Sequence, residues 1–239
     1  MKMFLQIKSL NEYEYKYNIN LPIIKIIILL NKMPNYKKKP KVFLDLDQTL
    51  ISAEADDEYD SNDSNIKVKA KKFRSHNMDG YYIIFERPGL QSFLTFLFKN
   101  FSVSIWTAAS KDYALFILEK VILNGKKNRN IDWIFFSYHC DISKNIKNGT
   151  KDLSILWEDY EIPEYSHKNT LILDDYDEVY KTQPGNCIPV IPFNFKDDKS
   201  ENDEHLKHLQ SEMENIIKDI EKGEKPASGI NKKLKLLPK

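Results

Sequence analysis

Cysteine is nearly absent from this chain. Cys140 and Cys187 are the 2 thiols in 239 residues. Two thiols in a chain this long make no disulfide framework, which argues against a small stapled secreted fold and for a reducing, intracellular compartment. Charge of one sign is lacking too. Lys and Arg number 36 against 35 Asp and Glu, a net charge of +1. No global field draws such a chain onto nucleic acid, and both signs are abundant enough for solubility. Glycine is scarce at 7 residues, and no internal repeat is visible.

A hydrophobic run of membrane-spanning length is also missing. The most apolar stretch, Leu21-Pro22-Ile23-Ile24-Lys25-Ile26-Ile27-Ile28-Leu29-Leu30, is about half the ~20 residues a bilayer requires, and Lys25 interrupts it. Asn31-Lys32-Met33-Pro34 follows, where a secretory leader would place small residues. The run reads as a helix or strand packed on a domain, with a peripheral membrane contact as the alternative. Lys37 to Lys41, broken by Pro40, reads as a solvated hinge. The expected organisation is an extension over 1–39, one catalytic domain over 40–222 and a basic tail over 223–239. The domain length suffices for a proper core.

Against this background one stretch stands out: Val42-Phe43-Leu44-Asp45-Leu46-Asp47-Gln48-Thr49-Leu50-Ile51. An apolar run of strand length carries two carboxylates two residues apart. Burying an unpaired carboxylate costs several kcal/mol or drives its pKa up. Two of them call for a cation or a chemical task.

The elements after it alternate. Ser52 to Asn65 is acidic and reads as a loop. Ile66 to Phe73 and Tyr81 to Glu86 read as extended segments, joined through Asn77-Met78-Asp79-Gly80, a hairpin signal because Gly takes positive φ freely. A helix begins at Arg87-Pro88-Gly89, with Leu90, Phe93, Leu94, Leu97 and Phe101 at helical spacing. Strand Phe101 to Trp106 ends in Thr107, and a helix runs from Ser110 to Leu123. Trp133 to Tyr138 reads as a strand of a small inserted sheet, Asp141 to Thr150 as polar loop, and Lys151 as the start of a short helix. Thr170 to Leu173 is a strand leading into Asp174-Asp175, and Cys187 to Ile191 is an edge strand because of Pro189. Leu206, Leu209, Met213, Ile216, Ile217 and Ile220 mark a closing amphipathic helix that stops at Gly223.

Strand alternating with helix predicts an α/β fold with a parallel sheet. In such a sheet the carboxyl ends of the strands line one crevice. Asp45 and Asp47, Thr107, and Asp174 and Asp175 therefore converge, and Lys151 lies just upstream of the third strand.

In order, Asp45-Leu46-Asp47-Gln48-Thr49, Trp106-Thr107-Ala108-Ala109-Ser110, Thr150-Lys151-Asp152-Leu153 and Leu171-Ile172-Leu173-Asp174-Asp175 resemble the four-part signature of the haloacid dehalogenase superfamily. Over residues 41–195 the chain is similar to its small phosphatases that act on the C-terminal domain of RNA polymerase II. Phe85-Glu86-Arg87-Pro88-Gly89 and Tyr113-Ala114 belong to that likeness. The resemblance implies a Rossmann-like fold: a central parallel sheet with helices on both faces, a hairpin flap after the first strand and a small inserted antiparallel sheet. It implies a Mg2+-dependent phosphatase acting on phosphoserine or phosphothreonine in proteins. Asp45 would be the nucleophile and Asp47 the general acid and base. Thr107 and Lys151 would bind the phosphoryl group. Asp45, Asp47 through its carbonyl, Asp174 and Asp175 would hold the metal, and Tyr113 would touch substrate. The expected partner is a phosphorylated protein or peptide, with no nucleic-acid binding, no transmembrane segment and a monomeric state. A nucleic-acid 3′-phosphatase and a non-catalytic phospho-binding module are the alternatives.

The likeness departs at specificity. Ala55 stands where those phosphatases place an aromatic pocket wall, Ser110 where they place a leucine, and Phe136 to Cys140 lacks their arginine. Asp175 replaces their asparagine and adds charge at the metal. Glu54, Asp56, Asp57 and Glu58 are expected to add negative potential at the mouth of the site.

Overall fold

The computed structural model describes residues 39–56 and 63–221 of the chain. Residues 1–38 of the extension, with its apolar run, and the basic tail lie outside them. Five strands form an all-parallel sheet: β1 (Lys41–Leu44), β5 (Ser102–Trp106), β6 (Ile131–Phe135), β7 (Thr170–Asp174) and β8 (Cys187–Pro189). Their order is β6-β5-β1-β7-β8. The chain builds outward from β1 to β5 and β6, then returns to build β7 and β8 on the other side. The direction of growth therefore reverses at β1, which opens a crevice at its carboxyl end.

The sheet is buried on both faces, as parallel sheets are. Val42, Leu44, Leu171 and Leu173 face one cluster; Phe43 and Ile172 between them face the other. On the first face lie α2 (Leu90–Asn100), α3 (Lys111–Ile117), which runs on into a π-helical turn at Leu118–Leu123, and α6 (His205–Glu221). On the second lie α4 (Ser137–Lys147), a π-helical turn at Ile155–Asp159, and α5 (Asp177–Thr182). Helices on both faces of a parallel sheet are the expected architecture.

Between β1 and α2 the chain forms an antiparallel sheet of β2 (Ile51–Ala55), β4 (Tyr82–Glu86) and β3 (Ser75–Met78), in the order β2-β4-β3. It packs through Phe85, stacked on Phe195 at 3.9 Å between ring centroids. This one sheet is both the flap and the small antiparallel sheet.

Several local expectations are corrected. Ser52–Ala55, expected as loop, continues from Ile51 as a strand paired with β4, and Ile51 and Ser52 are both buried. Ser64–Ala70 is a helix, α1, where an extended segment was expected. Asp63 caps it, its Oδ1 accepting from the N–H of Asn65 at 2.8 Å and Ile66 at 3.4 Å. Trp133 lies in β6, at the edge of the main sheet and parallel to β5, not in an inserted sheet. The α3 crossover makes that parallel pairing the natural one. Asp141 to Lys147 belongs to α4, not to a loop. Its buried side is His139, Cys140 and Ser143, residues that hydrophobic periodicity does not register. Lys151 begins no helix. Its backbone is left-handed, at φ 54°.

Among the described residues no helix is long and apolar enough to cross a membrane.

Candidate active site

The crevice is built from the carboxyl ends of β1, β5 and β7. Asp45 directly follows β1, locked by its own N–H donating to Leu173 O at 3.0 Å. The next residues turn sharply. Gln48 takes φ 58° and donates its N–H to Ile51 O at 2.8 Å. Asp45 is buried, whereas Asp47 is only partly so.

Lys151 lies between two carboxylates. Its Nζ is 2.5 Å from Asp45 Oδ1 and 2.8 Å from Asp174 Oδ2. The turn that delivers it is held at both ends. Gln183 Nε2 donates to Lys151 O at 2.7 Å, Gln183 Oε1 accepts from Leu153 N–H at 3.0 Å, and Ser143 Oγ accepts from Asp152 N–H at 2.9 Å. A left-handed non-glycine residue costs of order 1–3 kcal/mol and persists only where the surroundings impose it. These three bonds impose it here. Burial alone would lower the Lys151 pKa, but Asp45 and Asp174 outweigh it and drive the pKa above its usual value. The ammonium stays charged.

Asp45, Asp174 and Asp175 form a cluster whose ligand oxygens lie within 4.8 Å of one another. Asp174 Oδ1 accepts from Tyr176 N–H at 2.9 Å, and Asp175 Oδ1 accepts from Thr49 Oγ1 at 3.1 Å. Burial, then the nearby Asp45 charge, pushes Asp174 up to about 7, and the same two causes raise Asp175. One lysine against this many carboxylates leaves excess negative charge in a dry place. The site is short of positive charge, and its donors are hard oxygens.

Asp47 stands apart from that cluster. Its Oδ1 accepts a hydrogen bond from Tyr113 Oη at 2.5 Å. Burial pushes its carboxyl up to about 6, against the lowering effect of the Tyr113 bond. Thr107, at the end of β5, is buried. Its N–H donates to Phe135 O at 2.9 Å, and its Oγ1 accepts from Ala109 N–H at 3.1 Å. Among the described residues its hydroxyl makes no donated hydrogen bond, so it is free to donate to a ligand at this strand end.

All the residues singled out in the sequence thus reach one crevice: Asp45, Asp47, Thr107, Lys151, Asp174 and Asp175, with Tyr113 beside Asp47. The specificity positions look different in three dimensions. Ala55 is the cross-strand partner of Tyr82, so an aromatic ring is supplied from the neighbouring strand. Tyr82 packs edge-on against Tyr113, 5.4 Å between centroids. Ser110 caps α3, its Oγ accepting from Tyr113 N–H at 3.4 Å. Glu54 does not project free charge at the mouth, because Lys196 Nζ lies 2.5 Å from its carboxylate. Asp57 and Glu58 lie outside the described residues.

Sequence reasoning missed Thr49 as a support for Asp175, Tyr82 as a wall, and Lys196 as the partner of Glu54. Thr49 carried a signal, being the hydroxyl of the first motif. Tyr82 and Lys196 carried none, since strand register and a 142-residue separation decide them.

Comparison with known proteins identifies the family of the chain. The NLI interacting factor-like phosphatase family matches residues 40–223. The CTD phosphatase-like protein of Invertebrate iridescent virus 6 is 44% identical over 172 residues, covering 71% of this chain and 94% of that one. Its counterpart in Invertebrate iridescent virus 3 is 40% identical over 187 residues, covering 76% of this chain and 98% of that protein. The solved structure of Fcp1, an essential RNA polymerase II CTD phosphatase, superposes with a TM-score of 0.55 at 18% identity. It covers 85% of this chain and 68% of that one, a likeness of fold. With four sequence motifs on one crevice and a family match over residues 40–223, this chain belongs to the NLI interacting factor-like phosphatases, a branch of the haloacid dehalogenase superfamily.

Proposed function

We propose that the protein is a Mg2+-dependent phosphatase that hydrolyses phosphoserine and phosphothreonine in proteins through an aspartyl phosphate on Asp45. The observation that carries this reading is the gathering of Asp45, Asp174 and Asp175 around a single buried lysine. Three oxygen donors and an uncompensated negative charge fit a hard dication. The side chains of Asp45, Asp174 and Asp175 and the carbonyl of Asp47 would hold it. Bound there, Mg2+ offsets the repulsion between an anionic phosphate and an anionic nucleophile.

The side chains have separate tasks. Asp45 attacks phosphorus. Lys151 and the Thr107 hydroxyl stabilise the charge that develops on the phosphoryl oxygens. Asp47, raised to about 6 by burial, carries the proton that the leaving seryl or threonyl oxygen needs, then removes one from the attacking water. The names of the viral relatives and the fold of Fcp1 support a phosphoprotein substrate of polymerase-tail type. The active unit is residues 40–222, working as a monomer inside the cell.

Turnover of p-nitrophenyl phosphate with Mg2+ and its loss in EDTA test the enzyme class. A panel of phosphoserine and phosphothreonine peptides against a 3′-phosphorylated oligonucleotide tests the substrate. No turnover of any phosphate ester, with Mg2+ present and the protein folded, would overturn the proposal. Preference for the oligonucleotide would overturn its substrate.

A further inference from the structure

We infer that Tyr113 is a positioning residue for Asp47, and that Tyr82 of the antiparallel sheet holds Tyr113 in that role. This rests on the phosphatase reading above. Tyr113 is buried, and its hydroxyl is committed to Asp47 Oδ1 at 2.5 Å. Its backbone is anchored where α3 begins, by the Ser110 cap. Its ring meets Tyr82 edge-on, with planes at 84°. Tyr82 sits on β4 in register with Ala55 and is 40% exposed. A chain of contacts thus runs from the flap to the general acid.

The hydrogen bond decides which oxygen of Asp47 does the chemistry. A phenol that donates to Oδ1 occupies that oxygen, so the transferable proton of the acid form sits on Oδ2. A free carboxyl would divide its proton between two oxygens and rotate about its last torsion. Acid catalysis needs the proton facing the leaving oxygen as the bond breaks. In the first step Asp45 forms a bond to phosphorus and the bond from phosphorus to the seryl oxygen breaks. Its electron pair goes to that oxygen, which takes the proton from Asp47 Oδ2. Asp47, now a carboxylate, then takes a proton from the water that cleaves the aspartyl phosphate at phosphorus, freeing Asp45 and phosphate. Tyr113 gives up no atom in either step. It holds the acid, and the flap ring holds it.

A core tyrosine that merely found a partner for its hydroxyl would have the same geometry but a different kinetic signature. The test is a rapid-quench measurement of the first step in the full chain, on a phosphoserine peptide and on p-nitrophenyl phosphate. A seryl oxygen leaves only with a proton; p-nitrophenolate leaves without one. Tyr113→Phe should slow the seryl step about tenfold or more and the p-nitrophenyl step by less than about threefold, with KM unchanged, part of the ~10² to 10⁴ that a placed acid supplies. Tyr82→Leu should show the same split, and Asp47→Asn a larger one. Equal losses on both substrates, or no loss on either, would overturn the inference. Should Tyr113→Phe fail to fold, Tyr82→Leu decides by the same criterion. A split in Asp47→Asn without one in Tyr113→Phe sinks this inference alone. No split in Asp47→Asn sinks the acid assignment beneath it as well.

Discussion

Arg87 and Asp203, 116 residues apart, close a two-point ion pair: Arg87 Nε to Asp203 Oδ1 at 3.1 Å and Nη2 to Oδ2 at 2.9 Å. The arginine is completely buried, and its remaining nitrogen donates to Thr49 O at 3.1 Å and Ile191 O at 2.8 Å. One side chain therefore ties the motif turn, the start of α2 and the segment before α6 together. Truncating it strands two carbonyls and leaves the partly exposed Asp203 carboxylate with the His205 N–H alone. Arg87→Ala should lose about 3–5 kcal/mol of stability, the range for breaking a buried pair. Arg87→Lys should keep the charge, lose the fork and fall between. Urea unfolding at fixed pH measures both, and a loss below about 1 kcal/mol in Arg87→Ala would show that water or rearrangement replaces the pair.

Asp45→Asn should abolish turnover and leave the fold intact. The amide has nearly the shape of the carboxylate and far less nucleophilicity. The variant should unfold cooperatively with a near-native spectrum while phosphate release falls to background. Activity within tenfold of the parent chain would refute Asp45 as nucleophile.

Lys151→Met removes the one ammonium between Asp45 and Asp174. Without it the metal-free site holds carboxylates with no cation among the described side chains, so the metal-free protein should lose stability. Mg2+ should then raise the Tm of Lys151→Met by more than it raises that of the parent, because binding the folded state adds stability by mass action. Turnover should not return, since the phosphoryl oxygens still lack their fixed partner. An equal Mg2+ shift in both proteins would contradict the charge balance.

Mg2+ binding should weaken as pH falls. Asp174 is raised to about 7, and Asp175 is raised too, mainly by burial. Their neutral forms are favoured in the metal-free fold, so this contribution to stability is complete at low pH and is lost as pH rises through about 7. Metal binding requires the ionised forms. From about pH 7 down toward the ordinary carboxylate range, each bound proton must first leave, which weakens apparent affinity by about tenfold per pH unit for one proton. The Mg2+-induced rise in Tm should be large at pH 7.5 and small at pH 5.5. His139 and His205, both pushed down to about 4 by burial, act in the opposite direction. They withdraw stability as pH falls from the usual histidine range toward 4, with or without metal. Comparing Tm with and without Mg2+ at each pH separates the two effects, and a Mg2+ shift independent of pH would refute the carboxylate site.

The residue string by itself determined which strands end in chemistry. Apolar runs leading into Asp45, Thr107 and Asp174 mark buried strands whose last residues cannot be core, and that inference needs only the cost of burying charge. It also determined the α/β alternation, because buried parallel strands and the faces of α2, α3 and α6 are written in apolar periodicity. Polar helices escaped it. The buried face of α4 is His139, Cys140 and Ser143, and α1 begins on the cap of Asp63 with Ala70 its one buried residue; neither carries the apolar stripe that periodicity detects. The tertiary structure alone decided register and long-range pairing. That Ala55 faces Tyr82 follows from the register of β2 against β4, and that Tyr113 reaches Asp47 and Lys196 neutralises Glu54 follows from where α3 and the segment after β8 come to lie. Local sequence cannot encode such pairs, since their energies exist only once backbone segments far apart in the chain have been brought within a few ångströms.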